Sequence, residues 1–389
     1  MFHILSDTDI KEGAVTDIYF VRTKEILSSL GITRNVVAET YIRNLPDQWP
    51  WAVFCGLEEV LTLLSGHDVT IRSLPEGTIF RAGEPVLEIE GEYTDFGIHE
   101  TAILGCLCQA SGIATKAARC RVAAGDKPLI SFGARRMHPA IAPMIDRSAF
   151  IGGCDGVSSI ASAKQLGETP VGTMPHALIL ILGDTVEAAA AFDRFIEKSV
   201  NRIVLIDTFN DEKFEAVSVA DALGDRLFGV RLDTPGSRRG DFAEILREVR
   251  WELNLKGHSH VKLFTSGGLD EYSIQELLPF CDAFGVGTSI SSAVTVDFSF
   301  DIVEIEGKSA GKRGKMSGRK DLFRCSGCGE SLVTVYGKTP KDCTCGGSFV
   351  QMLETYTPEE ALKNFPTAQE IRAKVLDQLK DFTPEDLDA

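Results

Sequence analysis

Two groups of residues in this chain have the types and spacing to do chemistry. The first is Cys325-Ser326-Gly327-Cys328, followed by Cys343-Thr344-Cys345-Gly346-Gly347. Two cysteine pairs on tight glycine turns form a knuckle whose four thiolates suit tetrahedral Zn2+. Four sulfurs leave no open coordination position, so a structural role is expected. Iron accepts the same ligands, and a disulfide is the alternative, disfavoured because nothing else suggests an oxidising compartment. The second group closes a series of apolar runs with small, polar or charged residues: Phe132-Gly133-Ala134-Arg135-Arg136, Gly172-Thr173-Met174-Pro175-His176, Asp207-Thr208, Arg231-Leu232-Asp233, Thr265-Ser266-Gly267-Gly268 and Gly287-Thr288-Ser289. One polar residue after a strand is ordinary. Successive strands ending in His, Arg and Asp point to a shared site.

The runs themselves say what positions these groups. Leu129–Phe132, Gly156–Ser158, Pro170–Thr173, Arg202–Ile206, Leu227–Leu232, Val261–Thr265 and Ala283–Gly287 are short and nearly continuously apolar. Between them lie stretches of helical periodicity, clearest over Thr185–Ser199, Phe242–Leu253 and Glu271–Leu278. Strand–helix alternation of this kind marks a parallel sheet covered by helices. The spacing predicts a TIM-like barrel short of the full eight units, with an open doubly wound sheet as the alternative. In such a barrel the strand C-termini converge on one face, and the loops after the last two strands commonly hold a phosphate. Ser266, Gly267, Gly268, Gly287 and Thr288 are therefore the phosphate-cradle candidates.

The first 110 or so residues predict a small α+β domain. A helix is expected over Ile10–Leu30, a strand within Thr33–Leu45, and a helix over Trp51–Ser65. Val69–Ile71 is extended, and Ile79–Gly91 reads as a hairpin around a Gly turn. After the barrel, Val294–Phe298 and Asp301–Glu306 alternate as two strands that pack back on the N-terminal region. Lys308–Lys320, with Lys312, Arg313, Lys315, Arg319 and Lys320, reads as a positive strip for an anionic substrate. Thr367–Leu379 reads as a terminal helix.

Composition narrows the classes. The chain has 389 residues, 44% hydrophobic and 25% charged, with a net charge of −16. Length suggests two or three domains at ~150 residues each. A disordered chain is excluded, and the acidity argues against a nucleic-acid-coating protein. No apolar run reaches the ~18 residues of a membrane span. Met1–Lys11 has early acids and no long apolar stretch, so no secretory signal is expected and a cytoplasmic location is. The remaining six cysteines sit singly in apolar contexts, as free buried residues.

Several segments carry a family resemblance. Glu100-Thr101-Ala102-Ile103-Leu104 through Ser111-Gly112-Ile113-Ala114-Thr115-Lys116 resembles the helix-entry segment of the type II phosphoribosyltransferases, the group of the quinolinate and nicotinate enzymes. Phe132–Arg136, Gly172–Ala177, Arg231-Leu232-Asp233-Thr234-Pro235-Gly236 and Lys315-Met316-Ser317-Gly318-Arg319-Lys320 resemble the nicotinate phosphoribosyltransferases in particular. The resemblance spans Thr16 to about Arg324 and leaves out the cysteine knuckle.

The resemblance implies an α/β protein: an irregular TIM-like (β/α) barrel, an N-terminal α/β sandwich domain and, from the cysteines, a small C-terminal zinc-knuckle region. The implied bounds are 1–112 for the sandwich, completed by strands from about 293–320; 113–292 for the barrel; and 321–389 for the knuckle and terminal helix. It implies a reaction of nicotinate with 5-phosphoribosyl-1-pyrophosphate, with Mg2+, to give nicotinate mononucleotide and pyrophosphate. ATP hydrolysis can be coupled through a phosphorylated histidine, and His176 takes that place. Phe132 and Arg135 match the substrate-stacking aromatic and the carboxylate-binding arginine. Thr173 joins the substrate-binding set. Tyr19 matches an aromatic supplied by a partner subunit, so a homodimer or higher homo-oligomer with shared active sites is implied. The residue types agree: Asp207 and Asp233 can hold ribose hydroxyls directly or through Mg2+, and Arg231, Lys116 and Arg136 can meet pyrophosphate. A single Phe-Gly-x-Arg-Arg set favours a monocarboxylate over quinolinate, whose transferase releases CO2 without ATP; nicotinamide is the other substrate alternative. A zinc-ribbon factor binding nucleic acid or protein is the reading from another class.

Overall fold

The computed structural model describes residues 2–238 and 240–388. They form two compact units, one of residues 2–115, 294–380 and 385–388, the other of residues 116–293 and 381–384.

The first unit opens with helix α1 (Ile18–Ser29), strand β1 (Asn35–Tyr41), strand β2 (Ala52–Val53), helix α2 (Leu57–Leu64) and strands β3 (Val69–Ser73), β4 (Ile79–Phe80) and β5 (Pro85–Glu92). The long helix α3 (Glu100–Ala124) follows. The single helix expected over 10–30 is two, Asp7–Lys11 and α1, broken at Gly13, whose φ is +77°. The helix expected from Trp51 starts only at Leu57. Residues 51–57 are all buried, so they carry no amphipathic stripe, and the Glu76 carboxylate accepts the Gly56 and Glu58 N–H groups where the helix begins. The expected hairpin over 79–91 does not form. β4 pairs with β2, while β5 runs antiparallel between β1 and β3. Ile79 and Phe80 are both buried, so that run has no solvent face, and the N–H of Gly83 turns away to the carbonyl of Ile42 (2.7 Å).

Among its described residues the second unit holds six strands: β6 (Leu129–Ser131), β7 (Gly156–Val157), β8 (Ile203–Leu205), β9 (Gly229–Leu232), β10 (Lys262–Thr265) and β11 (Ala283–Val286). All are parallel, in the order β7-β6-β11-β10-β9-β8. The result is a curled parallel half-barrel sheet. The expected strand at Pro170–Thr173 is absent among the described residues. Val171 donates to the carbonyl of Val157 (2.9 Å), but Pro170 has no N–H to extend a ladder. Helices α4 (His176–Leu182), α5 (Thr185–Phe195), α6 (Phe242–Leu255) and α7 (Glu271–Leu277) lie between strands. Asp184, Asp241 and Asp270 cap α5, α6 and α7 by accepting backbone N–H groups of their first turns.

The chain then returns to the first unit. Val294–Phe298 is not a strand: Val296 donates to the carbonyl of Cys108 on α3 (3.1 Å), and a side chain at Gly112 would lie 2.2 Å from the Val294 carbonyl oxygen. The segment is laid against α3 where that helix has no side chain. β12 (Ser299–Ile305) pairs with β1, and β13 (Lys308–Ser309) with β12. β14 (Lys320–Cys325), β15 (Ser331–Val335) and β16 (Phe349–Gln351) make a three-stranded sheet, and β17 (Glu354–Tyr356) adds to β3. Thr367 caps helix α8 (Ala368–Leu379). The core of this unit joins both sides of α2, with Phe54, Leu57, Leu61, Ile71, Leu87 and Phe96 buried in one cluster that also takes in Val296, Leu322 and Leu353.

The basic segment 308–320 is largely folded onto the unit's own acids. Lys312 and Lys315 reach Asp301 (2.6 and 3.0 Å), Arg319 reaches Glu90 (2.7 Å), and Lys320 is buried against Glu39 (2.9 Å). Among the described residues no helix is long and apolar enough to cross a membrane. The Glu100 carboxyl is pushed up to about 7 by burial first and by Asp301 next. A raised native value means the unfolded chain loses its proton first, so this group costs stability as pH rises from about 4.5 to about 7. Glu100→Gln is expected to raise the melting temperature at pH 8 and leave it nearly unchanged at pH 4. Because the group is part-exposed, the gain is about 1 kcal/mol after screening, and calorimetry at the two pH values checks it.

Candidate functional site

The C-terminal ends of the half-barrel strands converge on a cleft of about 460 Å³ within the second unit. Its lining takes Phe132, Arg135 and Arg136 from the segment after β6, and Ser158 after β7. It takes Arg231 and Asp233 from β9 and its end, Ser266–Asp270 after β10, and Gly285, Gly287 and Thr288 from β11 and beyond. Lys116 from α3 and Thr173 complete the wall.

Phe132 is held by its own N–H, which donates to the carbonyl of Val286 (2.8 Å), and by the bareness of Gly285. A side-chain carbon at 285 would fall 2.3 Å from the Phe132 ring, so only glycine lets the ring stand over β11. The Arg231 guanidinium faces that ring at 5.9 Å from its centroid. Arg135 and Arg136 follow on one exposed 3-10 turn. An aromatic face, two exposed arginine forks and a half-buried arginine form a receptor for a flat anion.

Asp233 is the hub. Its Oδ1 accepts from Ser266 Oγ (3.0 Å), its Oδ2 lies 3.7 Å from Arg231 and 3.9 Å from His176 Nε2, and its N–H donates to Asp207 Oδ2 (3.2 Å). A side chain at Gly267 would meet Asp233 Oδ1 at 2.9 Å, and both Gly267 (φ +91°) and Gly268 (φ +72°) are left-handed. The loop thus needs glycine for its conformation and for close approach. Burial lowers the Arg231 pKa, which Asp233 and Asp207 oppose.

His176 is the first residue of α4, and Pro175 before it is extended, which starts the helix there. Its Nδ1 is 3.1 Å from Thr208 Oγ1, and its Nε2 is 3.9 Å from Asp207 Oδ1. The Asp207 side chain is buried, and its Oδ1 has no hydrogen-bond partner. Burial raises its pKa; His176 pulls it down and Asp233 pushes it up. Two neighbouring carboxylates, one with an unsatisfied buried oxygen, are the hard donor set a divalent cation such as Mg2+ takes.

Of the residues singled out in the sequence, the cleft gathers Phe132, Arg135, Arg136, Thr173, Lys116, Arg231, Asp233, Ser266, Gly267, Gly268, Gly287 and Thr288, with His176 and Asp207 against Asp233. Tyr19 belongs to the first unit, half-exposed, and donates to Asp17 Oδ2 (3.1 Å); it is not part of this wall. The reading of the sequence missed Ser158, Thr208 and Gly285 as site residues. All three stood beside or within runs already noted, but a serine, a threonine and a glycine signal nothing until a neighbour's ring or imidazole is placed.

The four cysteines lie elsewhere, in the first unit. Cys325, Cys328, Cys343 and Cys345 are free thiols whose sulfurs all lie within 4.8 Å of one another. Cys325 and Cys345 Sγ are 3.4 Å apart, Cys328 and Cys343 Sγ 3.6 Å. Tetrahedral zinc with sulfur ligands at ~2.3 Å spaces sulfurs about 3.8 Å apart, so the set fits such an ion. The N–H groups of Gly327 and Gly347 donate to Cys325 and Cys345 Sγ (3.3 and 3.4 Å), and a side chain at Gly347 would meet Cys325 Sγ at 2.6 Å.

Residues 17–111 match the family model of the quinolinate phosphoribosyl transferase N-terminal domain, and residues 113–301 that of its C-terminal domain. A nicotinate-nucleotide pyrophosphorylase from Pyrococcus furiosus superposes with a TM-score of 0.95 at 54% identity, over 97% of this chain and 98% of that one. The chain belongs to the quinolinate phosphoribosyl transferase family. Another relative in sequence is nicotinate phosphoribosyltransferase pncB2 of Mycobacterium tuberculosis, 29% identical over 353 residues, covering 79% of this chain and 74% of the relative. Human nicotinic acid phosphoribosyltransferase has the same fold, with a TM-score of 0.78 at 19% identity over 96% and 95% of the chains. Membership makes this chain a type II phosphoribosyltransferase, and its cleft lies within the segment that matches the family's C-terminal domain.

Proposed function

We propose that this phosphoribosyltransferase is a nicotinate phosphoribosyltransferase of NAD salvage, joining nicotinate to 5-phosphoribosyl-1-pyrophosphate. The observation that carries the choice of substrate is the Phe132 ring beside the Arg135–Arg136 turn, a stacking face with arginine forks for a carboxylate on a flat ring. The mycobacterial relative supports it: that protein is a nicotinate phosphoribosyltransferase.

In this reading Phe132 stacks on the pyridine, and Arg135 and Thr173 hold its substituents. Asp207 and Asp233 hold the ribose hydroxyls directly or through Mg2+, which when bound neutralises pyrophosphate charge. Ser266–Gly268 and Gly287–Thr288 take the 5′-phosphate on backbone N–H groups, and Arg231, Arg136 and Lys116 face the pyrophosphate. The ring nitrogen attacks the ribose C1 as the C–O bond to pyrophosphate breaks and pyrophosphate leaves with the electron pair. The residues act by placement and charge stabilisation. His176, with Nε2 beside two carboxylates, is the phosphoacceptor through which ATP hydrolysis couples. Tyr19 serves a partner's site in a homo-oligomer, and the four cysteines hold a structural Zn2+. The sandwich, barrel and knuckle regions correspond to 1–112, 113–292 and 321–389.

The test is product formation from phosphoribosyl pyrophosphate with nicotinate, quinolinate or nicotinamide in parallel, each with and without ATP. Turnover of nicotinate, faster with ATP, is expected. Turnover of quinolinate with CO2 release, or of nicotinamide in preference, would overturn the substrate. Gly285→Ala is a sharper probe. The added methyl displaces the Phe132 ring, so KM for nicotinate is expected to rise about tenfold, as for roughly 1.4 kcal/mol of lost stacking, with KM for phosphoribosyl pyrophosphate changed less than twofold.

A further inference from the structure

Behind the cleft wall Lys116 meets two buried residues, Glu271 and Arg119, to which the reaction above gives no role. Lys116 Nζ, at the cleft, is 2.5 Å from Glu271 Oε2. The other oxygen of Glu271 accepts from Arg119 Nε (2.8 Å), and Arg119 Nη2 donates to the Tyr272 hydroxyl (3.2 Å). Glu271 and Arg119 are each about 1% exposed, whereas Lys116 keeps 18% of its side chain open. Glu271 opens α7, directly after the Gly267-Gly268-Leu269-Asp270 loop that walls the cleft.

We propose that Glu271 is a positioning residue for phosphoribosyl pyrophosphate binding: it holds Lys116 and the glycine loop in fixed relation, and Arg119 cancels its charge. The inference rests on the reading of the cleft as a phosphoribosyl pyrophosphate site. A lysine is a flexible point charge with three donors, and fixing it on binding costs rotamer entropy. The ion pair with Glu271 holds Nζ in place beforehand, while the ammonium keeps donors for phosphate oxygens. A carboxylate alone would also neutralise the lysine. Arg119 removes that effect, so the trio keeps a net charge of +1 at its exposed end. The same carboxylate ties α3, which carries both cations, to the start of α7, so the loop's N–H groups and Nζ keep one spacing.

The experiment measures phosphoribosyl pyrophosphate binding to the full-length protein by calorimetry, and both KM values, for wild type, E271Q, E271D, K116M and E271Q/K116M. Removing one member of a buried ion pair can prevent folding. The double replacement R119M/E271M is therefore included, because it removes acid and arginine together and leaves Lys116 unheld. E271Q and R119M/E271M are expected to weaken phosphoribosyl pyrophosphate binding about tenfold and to leave KM for nicotinate within twofold. E271D is expected to recover part of the loss, and E271Q/K116M to be no worse than K116M. Wild-type binding with unchanged affinity in R119M/E271M would overturn the positioning role alone. So would full additivity of E271Q and K116M, or equal loss for both substrates. Absence of binding to the wild type would overturn the reading of the cleft and the proposal with it.

Discussion

Asp233→Ala is expected to lower kcat/KM for phosphoribosyl pyrophosphate by about three orders of magnitude, mostly through kcat. Asp233 meets Ser266, Arg231, His176 and, through its N–H, Asp207. Removing its carboxylate breaks a charge-assisted hydrogen bond, leaves the guanidinium of Arg231 without its facing acid, and removes one of two ribose or Mg2+ ligands. Two charge-assisted contacts at roughly 1.5–3 kcal/mol each give about 3–6 kcal/mol, or two to four powers of ten. Arg231 is expected to drift toward the Phe132 ring, so nicotinate binding weakens too, by severalfold. Asp233→Asn keeps the Ser266 contact and is expected to recover part of the Kd but little of kcat, because the amide supplies no charge. Steady-state and single-turnover kinetics separate the two. A variant within tenfold of wild type in kcat would remove Asp233 from the reaction.

The legible parts of this molecule are those in which chemistry and position share one residue. Asp207, Arg231–Asp233 and Ser266–Gly268 each sit at the end of a short apolar run, and a parallel sheet leaves only one end for such residues to meet. That was enough to place the cleft. That the four cysteines would cluster was legible because such close spacing of thiols is rarely accidental. Less legible was whatever depends on partners distant in the chain. Val294–Phe298 alternates like a strand, yet Gly112 opens room for it against α3, so its N–H groups go to a helix carbonyl. Ile79–Gly91 alternates too, but which strand it pairs with is settled by β1 and β2. The basic run 308–320 looked like a site for anions because its acids, Glu39, Glu90 and Asp301, are 200 or more positions away or hidden within a strand. The Lys116–Glu271–Arg119 trio lay beyond reach for the same reason: the acid is 152 positions from its arginine.

Cys343→Ser is expected to abolish binding of one equivalent of zinc and to lower the melting temperature by about 10 °C or more. The knuckle sheet β14–β16 has little core of its own: Leu322, Phe323, Cys325 and Cys343 are buried, while Val335 and Val350 are exposed. A unit so small depends on a metal for a fixed structure. Structural zinc sites yield ~10–16 kcal/mol of apparent binding energy in isolated peptides. Even a third of that reaches about 10 °C, at roughly 2–4 °C per kcal/mol for a unit of some 200 residues. The loss would travel along β14, which places Lys320 on Glu39 and Asp321 on Arg72, both buried pairs of the larger sheet. Breaking the knuckle therefore unsettles ion pairs well away from the thiolates, and the melting transition is expected to lose cooperativity rather than only shift. Metal analysis of the purified protein, with calorimetry before and after a chelator, checks both parts. A protein that carries no zinc or iron, or that melts identically after the metal is removed, would leave the cysteines as thiols packed by their glycine turns alone.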